Sequence, residues 1–406
     1  MDGPTQRKPA LGFIFITLVL LVLGFGIIIP VLPKLIVEFE GGSFAEGSNS
    51  YGWLVSVFAV MQFITSPILG SLSDRFGRRK IILLALAGSA IDYVIMGLAP
   101  SLAWLFVARV ISGMTAGSLA TCNAYIADVT PPEKRAHGFG LVGAAFGLGF
   151  VIGPAIGGLL GQVNIRLPFF VAAGCVGANW LYGAFVLPES LPVGSRRPFS
   201  WKRANPVGSL LALRRFRGVF DLALMHFIFM FGNSMLQSIW VLYTGYRYHW
   251  TTIEVGLSLT LIGVMAIIVQ GGLVRRIIAW TGERRGLVIG LVISALVMAA
   301  YGTATRGWMI YWLVVLGAWG GIAGPSAQSL ITRHVPANEQ GAVQGSLSGL
   351  TSLAGIGAPI LAAWSFGKCI PGLPGIAFYE ASVLIVVALA LAFRSFQLDD
   401  RIGAKV

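Results

Sequence analysis

Long apolar runs separated by short polar breaks make up almost the whole chain. Twelve runs can be drawn, at about 10–33, 51–73, 80–99, 102–127, 137–161, 167–187, 218–244, 252–275, 285–304, 307–330, 341–366 and 372–394. Each is long enough to cross a bilayer as a helix, which takes about 20 residues. None has the strict alternation that a membrane barrel strand requires. The pattern therefore predicts an all-α integral membrane protein. Arg7 and Lys8 ahead of the first run could imitate a secretion signal. No small-residue cleavage site follows, and Pro30 and Pro33 end the run, so a retained first helix is expected.

The breaks carry most of the charge. Between the second and third runs lies Gly70-Ser71-Leu72-Ser73-Asp74-Arg75-Phe76-Gly77-Arg78-Arg79-Lys80, a tight and very basic turn. Gly70 is expected to let two helices approach, and Gly77 to permit the reversal. Asp74, at the membrane edge, needs a cationic or helix-terminal partner, and Arg78 four residues on is in reach. The one long polar segment, 188–217, reads as a linker between halves at 1–187 and 218–406 with six runs each. The halves repeat. Ile126, Pro131, Gly140 and Pro154 recur as Ile331, Pro336, Gly345 and Pro359, always 205 positions on, as do Gly77 as Gly282 and Arg79 as Arg284. Ala279 stands where the repeat would put Asp74. Two copies in the same orientation predict parallel six-helix units related by an axis along the membrane normal, with substrate near the midplane.

Composition agrees: 56% of the 406 residues are hydrophobic and 11% charged, against about 25% charged in a soluble domain. A net charge of +13 would suit a nucleic-acid partner, but 23 of the 29 Lys and Arg fall on one side of the predicted membrane. Lys34, Arg166, Arg247, Arg306 and Lys368 lie on the other, and Arg109 is inside a run. That bias places both termini and the linker in the cytoplasm and is explained by topology and lipid headgroups, without nucleic acid. Cys122, Cys175 and Cys369 have no metal spacing, and His137, His226, His249 and His334 are scattered, so neither a metal centre nor an enzyme is expected.

Within the runs, Asp92 is the only acid placed deep, about 18 Å from the basic turn. An ionised carboxylate there must pair, face a polar cavity or take up a proton. Arg109 sits at similar depth across the short connection at 99–101, near enough to pair. The pair reads as a proton-coupling or substrate-sensing element, or as a structural ion pair. Gln62, Asn123, Gln237, Gln270 and Gln328 could line a binding pocket or join helices, and Trp240 and Tyr243 could stack on a planar ligand or pack. His226 is a lone candidate for proton transfer. The fifth run carries Gly140, Gly149, Gly153, Pro154, Gly157 and Gly158, a pattern for close packing and bending.

The basic turn resembles the signature loop of the major facilitator superfamily, and the fifth run resembles the antiporter motif of its drug exporters. Further stretches resemble the tetracycline efflux proteins: Gly24–Pro33, Met61-Gln62-Phe63 with Ser66-Pro67, Ile91-Asp92-Tyr93, Ala124–Asp128, Leu187-Pro188-Glu189-Ser190, Arg247–Trp250, Ala304–Trp308, Gln344–Ser346 and Leu350–Leu353. The resemblance implies a major facilitator fold and a functional monomer in a bacterial inner membrane. It implies exchange of a drug, carried as a divalent-cation chelate, for protons, with no cofactor. By position, Gln62 and Asp92 match membrane residues that family uses, and Arg109 its buried arginine. Gly70, Asp74, Arg78 and Asp128 match its cytoplasmic gate. Leu21 and Ser294 stand where the family has aspartates, and an apolar Leu21 binds neither a proton nor a cationic chelate. The same fold also serves small-metabolite facilitators and importers. A non-transporting receptor or scaffold would typically show an appended soluble domain.

Overall fold

A computed structural model of the chain describes residues 11–131, 135–199, 219–333, 335 and 340–403. Among the described residues, twelve helices are long and apolar enough to cross a membrane. They are α1 (Leu11–Phe39), α2 (Phe44–Phe76), α3 (Arg78–Leu98), α4 (Leu102–Val129), α5 (Gly140–Val163), α6 (Leu167–Phe185), α7 (Phe220–Tyr248), α8 (Thr252–Thr281), α9 (Glu283–Thr303), α10 (Gly307–Arg333), α11 (Val343–Cys369) and α12 (Ile376–Leu398). Arg7, Lys8, Pro336, His334 and the basic residues of the linker beyond 199 lie outside the described residues.

Helix boundaries depart from the apolar runs where polar residues begin a helix. The first helix does not end at its prolines: after a turn at 29–31 it resumes at Leu32, with Pro33 in the new first turn, where a missing N–H costs nothing. The second begins at Phe44, because Glu46, Ser48, Asn49 and Ser50 are helical but too polar to register as a membrane run. Gly77 (φ 102°) and Gly282 (φ 75°) cap α3 and α9 in the left-handed region, so the reversal expected at Gly77 occurs in both repeats. Two helices leave α geometry midway. Ile267–Leu273 in α8 is a π-helix, and Ala318–Ile322 in α10 is a 3-10 helix.

The chain forms two compact units. The first is Met1–Leu35, Val57–Asn205 and Thr252–Thr260, so it holds α3 to α6, most of α1 and α2, and the opening turns of α8. In it α1 lies against α5 and α6, and α3 against α4 and α6. Buried Asn179 on α6 donates to the Thr17 carbonyl of α1 at 2.9 Å, and Arg166 donates to the Gly97 and Ala99 carbonyls that end α3, at 3.0 and 2.9 Å.

The second unit is Ile36–Ser56, Pro206–Thr251 and Leu261–Val406. Here α7 packs on α11 and α12, and α9 on α12. Its core is aromatic: Tyr243 packs edge-on to Phe378 (centroids 4.6 Å apart) and donates to the Tyr301 carbonyl at 2.7 Å. Leu84, Leu98, Leu296 and Trp312 stay exposed, which in lipid is the favourable placement for apolar side chains.

Candidate functional site

The first unit contains two polar assemblies, one inside the α3–α4 pair and one at its arginine-rich end. In the membrane, Asp92 on α3 is fully buried and Arg109 on α4 is 7% exposed. Arg109 Nη2 lies 3.7 Å from Asp92 Oδ2. Ser112 joins them: it donates to Asp92 Oδ2 and accepts from Arg109 Nη2 at 2.8 Å. The same nitrogen meets Met96 Sδ at 2.9 Å, and the guanidinium sits 5.7 Å above the Phe58 ring. Ser89 and Thr115 extend the seam, with Ser89 donating to Thr115 at 2.9 Å and Thr115 to the Ser112 carbonyl at 3.0 Å. One half of the pair is left unserved. Asp92 Oδ1 and Arg109 Nε are buried with no hydrogen-bond partner, which in a dry interior is costly unless something else visits them.

The second assembly gathers around Arg78 at the start of α3. Its guanidinium meets Asp74 Oδ1 at 2.6 Å, Asp128 Oδ2 at the end of α4 at 3.2 Å, and Ser73 Oγ at 2.5 Å. The segment after α6 closes over it. Glu189 accepts from the Arg78 backbone N–H at 2.8 Å, serving one of the orphan donors at the α3 N-terminus. Glu189 also accepts from the Ser190 and Leu191 N–H groups, each at 3.1 Å. Ser190 donates to Asp128 at 3.0 Å, and the Arg197 N–H to the Asp74 carbonyl at 3.1 Å. Gly77 suits this turn: at φ 102° a side chain is strained, and one there would press on the Glu189 carboxylate.

Several expectations need correction. A Cβ built on Gly70 meets nothing within 4 Å, so no close helix approach uses that glycine. Trp240 is 2% exposed and packs edge-on to Tyr301 at 5.2 Å, and Tyr243 is fully buried, so neither ring presents a face to a ligand. Glu380, in the second turn of α12, is a further half-buried acid with one oxygen unpartnered, but it lies near a helix end and leaves Asp92 as the deep one. Of the amides, Gln328 donates to Gln344 at 3.0 Å and joins α10 to α11. Gln62 is half-buried, and Asn123, Gln237 and Gln270 are exposed. Gln270 lies on the π-helical stretch beside Gly321. His226 is half-buried with Nδ1 unpartnered.

On α5, Gly149 abuts Val22, Gly153 abuts Gly26, and Gly157 abuts the Ile27 carbonyl, all on α1. Gly158 faces Thr252 and Gly256 of α8, while Gly140 faces open space. Packing accounts for every glycine of the pattern except Gly140, so the pattern by itself does not carry a direction of transport. Ser112, Glu189 and Ser190 were not singled out as site residues from sequence, although the Leu187-Pro188-Glu189-Ser190 match pointed to the last two.

Twelve membrane-length helices with a buried, half-satisfied ion pair define a multi-pass membrane protein built around polar groups inside the bilayer. Comparison with known proteins narrows this. The family described as Major Facilitator Superfamily matches residues 14–398. Tetracycline resistance protein, class C, of Escherichia coli is 37% identical over 384 residues, covering 95% of this chain and 96% of that protein. Multidrug resistance protein 2 of Bacillus subtilis (strain 168) is 31% identical over 348 residues, 84% of each. Among solved structures, the human organic anion transporter MFSD10 (TETRAN) superposes with a TM-score of 0.71 at 25% identity, covering 96% of this chain and 100% of that one. The chain belongs to the major facilitator superfamily, among its tetracycline-resistance relatives. It is a transporter and not an enzyme.

Proposed function

We propose that this chain exports a drug-like small molecule, tetracycline-like or a broader range of drugs, in exchange for protons by alternating access. Relatives named for tetracycline and multidrug resistance support export. The observation that carries proton exchange is the half-bonded carboxylate of Asp92. Oδ2 is held by Ser112 beside Arg109, while Oδ1 is free to take a proton without breaking that bond. A cationic or polar substrate competes with the proton for the same carboxylate, which gives exchange by mutual exclusion. Leu21 and Ser294, where the resembled family has aspartates, leave few oxygens for a metal chelate, so an organic cation or neutral polar drug suits this chain better. In this reading the halves 1–187 and 218–406 rock about the substrate in a bacterial inner membrane, with both termini cytoplasmic and the monomer as the working unit. Asp74, Arg78 and Asp128 hold the cytoplasmic ends.

The test is transport into proteoliposomes under an imposed pH gradient, with drug-susceptibility profiles of cells, with and without a protonophore, to find the substrate. Asp92→Asn keeps size and hydrogen bonding but removes the titrating group. It should insert normally yet fall to equilibrium accumulation, and wild-type accumulation by this variant would refute the assignment.

A further inference from the structure

We infer that a small organic anion with a flat aromatic body binds a cavity at the arginine-poor end of the second unit, among the close of α7, the start of α2 and the α11–α12 connection. The cavity measures about 410 Å³ and is lined by Phe44, Tyr246, Arg247, His249, Pro371 and Pro374, all within the second unit. That volume falls in the range of small-molecule sites, about 300–1,000 Å³. The lining carries two basic side chains and no acid. Phe44 and Tyr246 form an aromatic wall, edge to face at 5.5 Å, and Phe366 meets Tyr246 edge-on at 5.9 Å. Pro371 and Pro374 add rigid apolar surface without a backbone N–H.

Neither basic residue is explained by the fold alone. Arg247 is one of five Lys and Arg on the arginine-poor side, so topology disfavours it there. Its Nε donates to the Ala304 carbonyl that caps α9, at 3.0 Å, and the Tyr248 hydroxyl serves the same carbonyl at 2.8 Å. A guanidinium has five donors, and among the described residues no carboxylate pairs with Arg247. It is oriented by the carbonyl and still holds its charge for a ligand. An arginine held this way suits a carboxylate or a similar anion, which it can meet through two parallel bonds. Lys368, near the end of α11, sits over the Trp364 ring at 4.5 Å and is not part of the lining. His249 stands just past α7 at φ 55°. The Trp250 N–H returns to the Thr244 carbonyl at 3.4 Å, six residues back, which closes the helix in a turn where glycine is the usual occupant. A side chain is kept there against backbone strain, and it lines the cavity with Arg247. Its imidazole supplies an N–H donor whether neutral or charged. Two donors for the anionic group and an aromatic wall for its body define the ligand class. The Asp92 assembly belongs to the other unit, and the inference does not rest on the function proposed above.

Binding of radiolabelled naphthoate to the full chain in nanodiscs of zwitterionic lipid, corrected with empty discs, tests the site. The parent should bind saturably. The neutral carboxamide of the same ring and the cationic naphthylmethylamine should compete about tenfold more weakly or worse, since each lacks the charge-assisted bonds. Arg247→Gln keeps a donor for the Ala304 carbonyl but removes the charge, and should weaken naphthoate by about tenfold or more. His249→Gly relieves the strained cap while removing the imidazole. It should unfold no earlier than the parent yet bind about three- to tenfold more weakly. Phe44→Leu keeps apolar bulk without the flat face and should cost about two- to tenfold. No saturable binding by the parent, or parent-like affinity in either Arg247→Gln or His249→Gly, overturns the site. Equal competition by the carboxamide overturns the anion. An anionic bilayer repels such a probe by about fivefold. A fall of about fiftyfold or more in discs of anionic lipid would make a lipid headgroup the occupant and overturn the small-molecule assignment.

Discussion

Ser112 decides how Asp92 behaves. Its hydroxyl sits between carboxylate and guanidinium, so its loss would leave Arg109 and Asp92 facing each other at 3.7 Å with no bridge. A hydrogen bond to a charged group contributes about 1.5–3 kcal/mol. Ser112→Ala should therefore slow proton-driven transport by about tenfold or more, while Ser112→Thr should restore most of the rate in the same proteoliposome assay. At the Arg78 assembly, Arg78→Ala would leave Asp74 and Asp128 without their shared cation. Both carboxylates keep some contact with solvent, so the expected loss is about 1–3 kcal/mol, below that of a fully buried pair. Thermal unfolding in detergent would measure it. Asp92 and Arg109 were legible in the sequence because a membrane run makes any charge conspicuous, and Asp74, Arg78 and Asp128 because they belong to stretches that resemble a known family. Ser112 and Glu189 were not, because their roles depend on which backbone or carboxylate approaches in three dimensions. Trp240 misled for the converse reason: an aromatic ring looks the same in sequence whether it lines a cavity or fills a core.

Among the helices, α5 offers a clean contrast. At Gly157 a methyl group would overlap the Ile27 carbonyl, whereas at Gly140 it would meet nothing. Gly157→Ala should lower stability by about 1–3 kcal/mol, seen as a depressed unfolding temperature, and Gly140→Ala should be neutral. A larger effect at Gly140 would show that its open face is used in another conformation. The number and order of helices followed directly from the apolar runs, since about 20 apolar residues have few other stable arrangements. The start of α2 did not, because its first turns are polar and are held by Ser48 bonding to Ala363 and by Gly52 packing on α11, contacts that a run of hydropathies does not record.

At the scale of the molecule, the arginine bias fixes an expected orientation. Single cysteines at positions 5 and 45 should react with an impermeant reagent from opposite faces, and labelling from the same face would reverse the topology. The Arg78 assembly should favour the state with closed cytoplasmic ends. Removing one of its carboxylates, as in Asp74→Asn, leaves Asp128 in place, so the population should move toward cytoplasm-open by about two- to fivefold. Spin-label distances across those ends would report it, with membrane insertion unchanged.

The π-helical stretch of α8 coincides with a one-residue difference between the two halves. Twenty-one positions separate Ser56 from Gly77, and twenty-two separate their counterparts Thr260 and Gly282. Ahead of the stretch the two halves are offset by 204 and beyond it by 205. A turn closed from i to i+5 holds one residue more than a turn closed from i to i+4. Ile267–Leu273 lies between those landmarks, and its wider turns accommodate the one residue by which the second half is longer there. Gln270 and the Gly271-Gly272 pair sit on that stretch, so the repeat of the two halves slips by one residue in the middle of one helix.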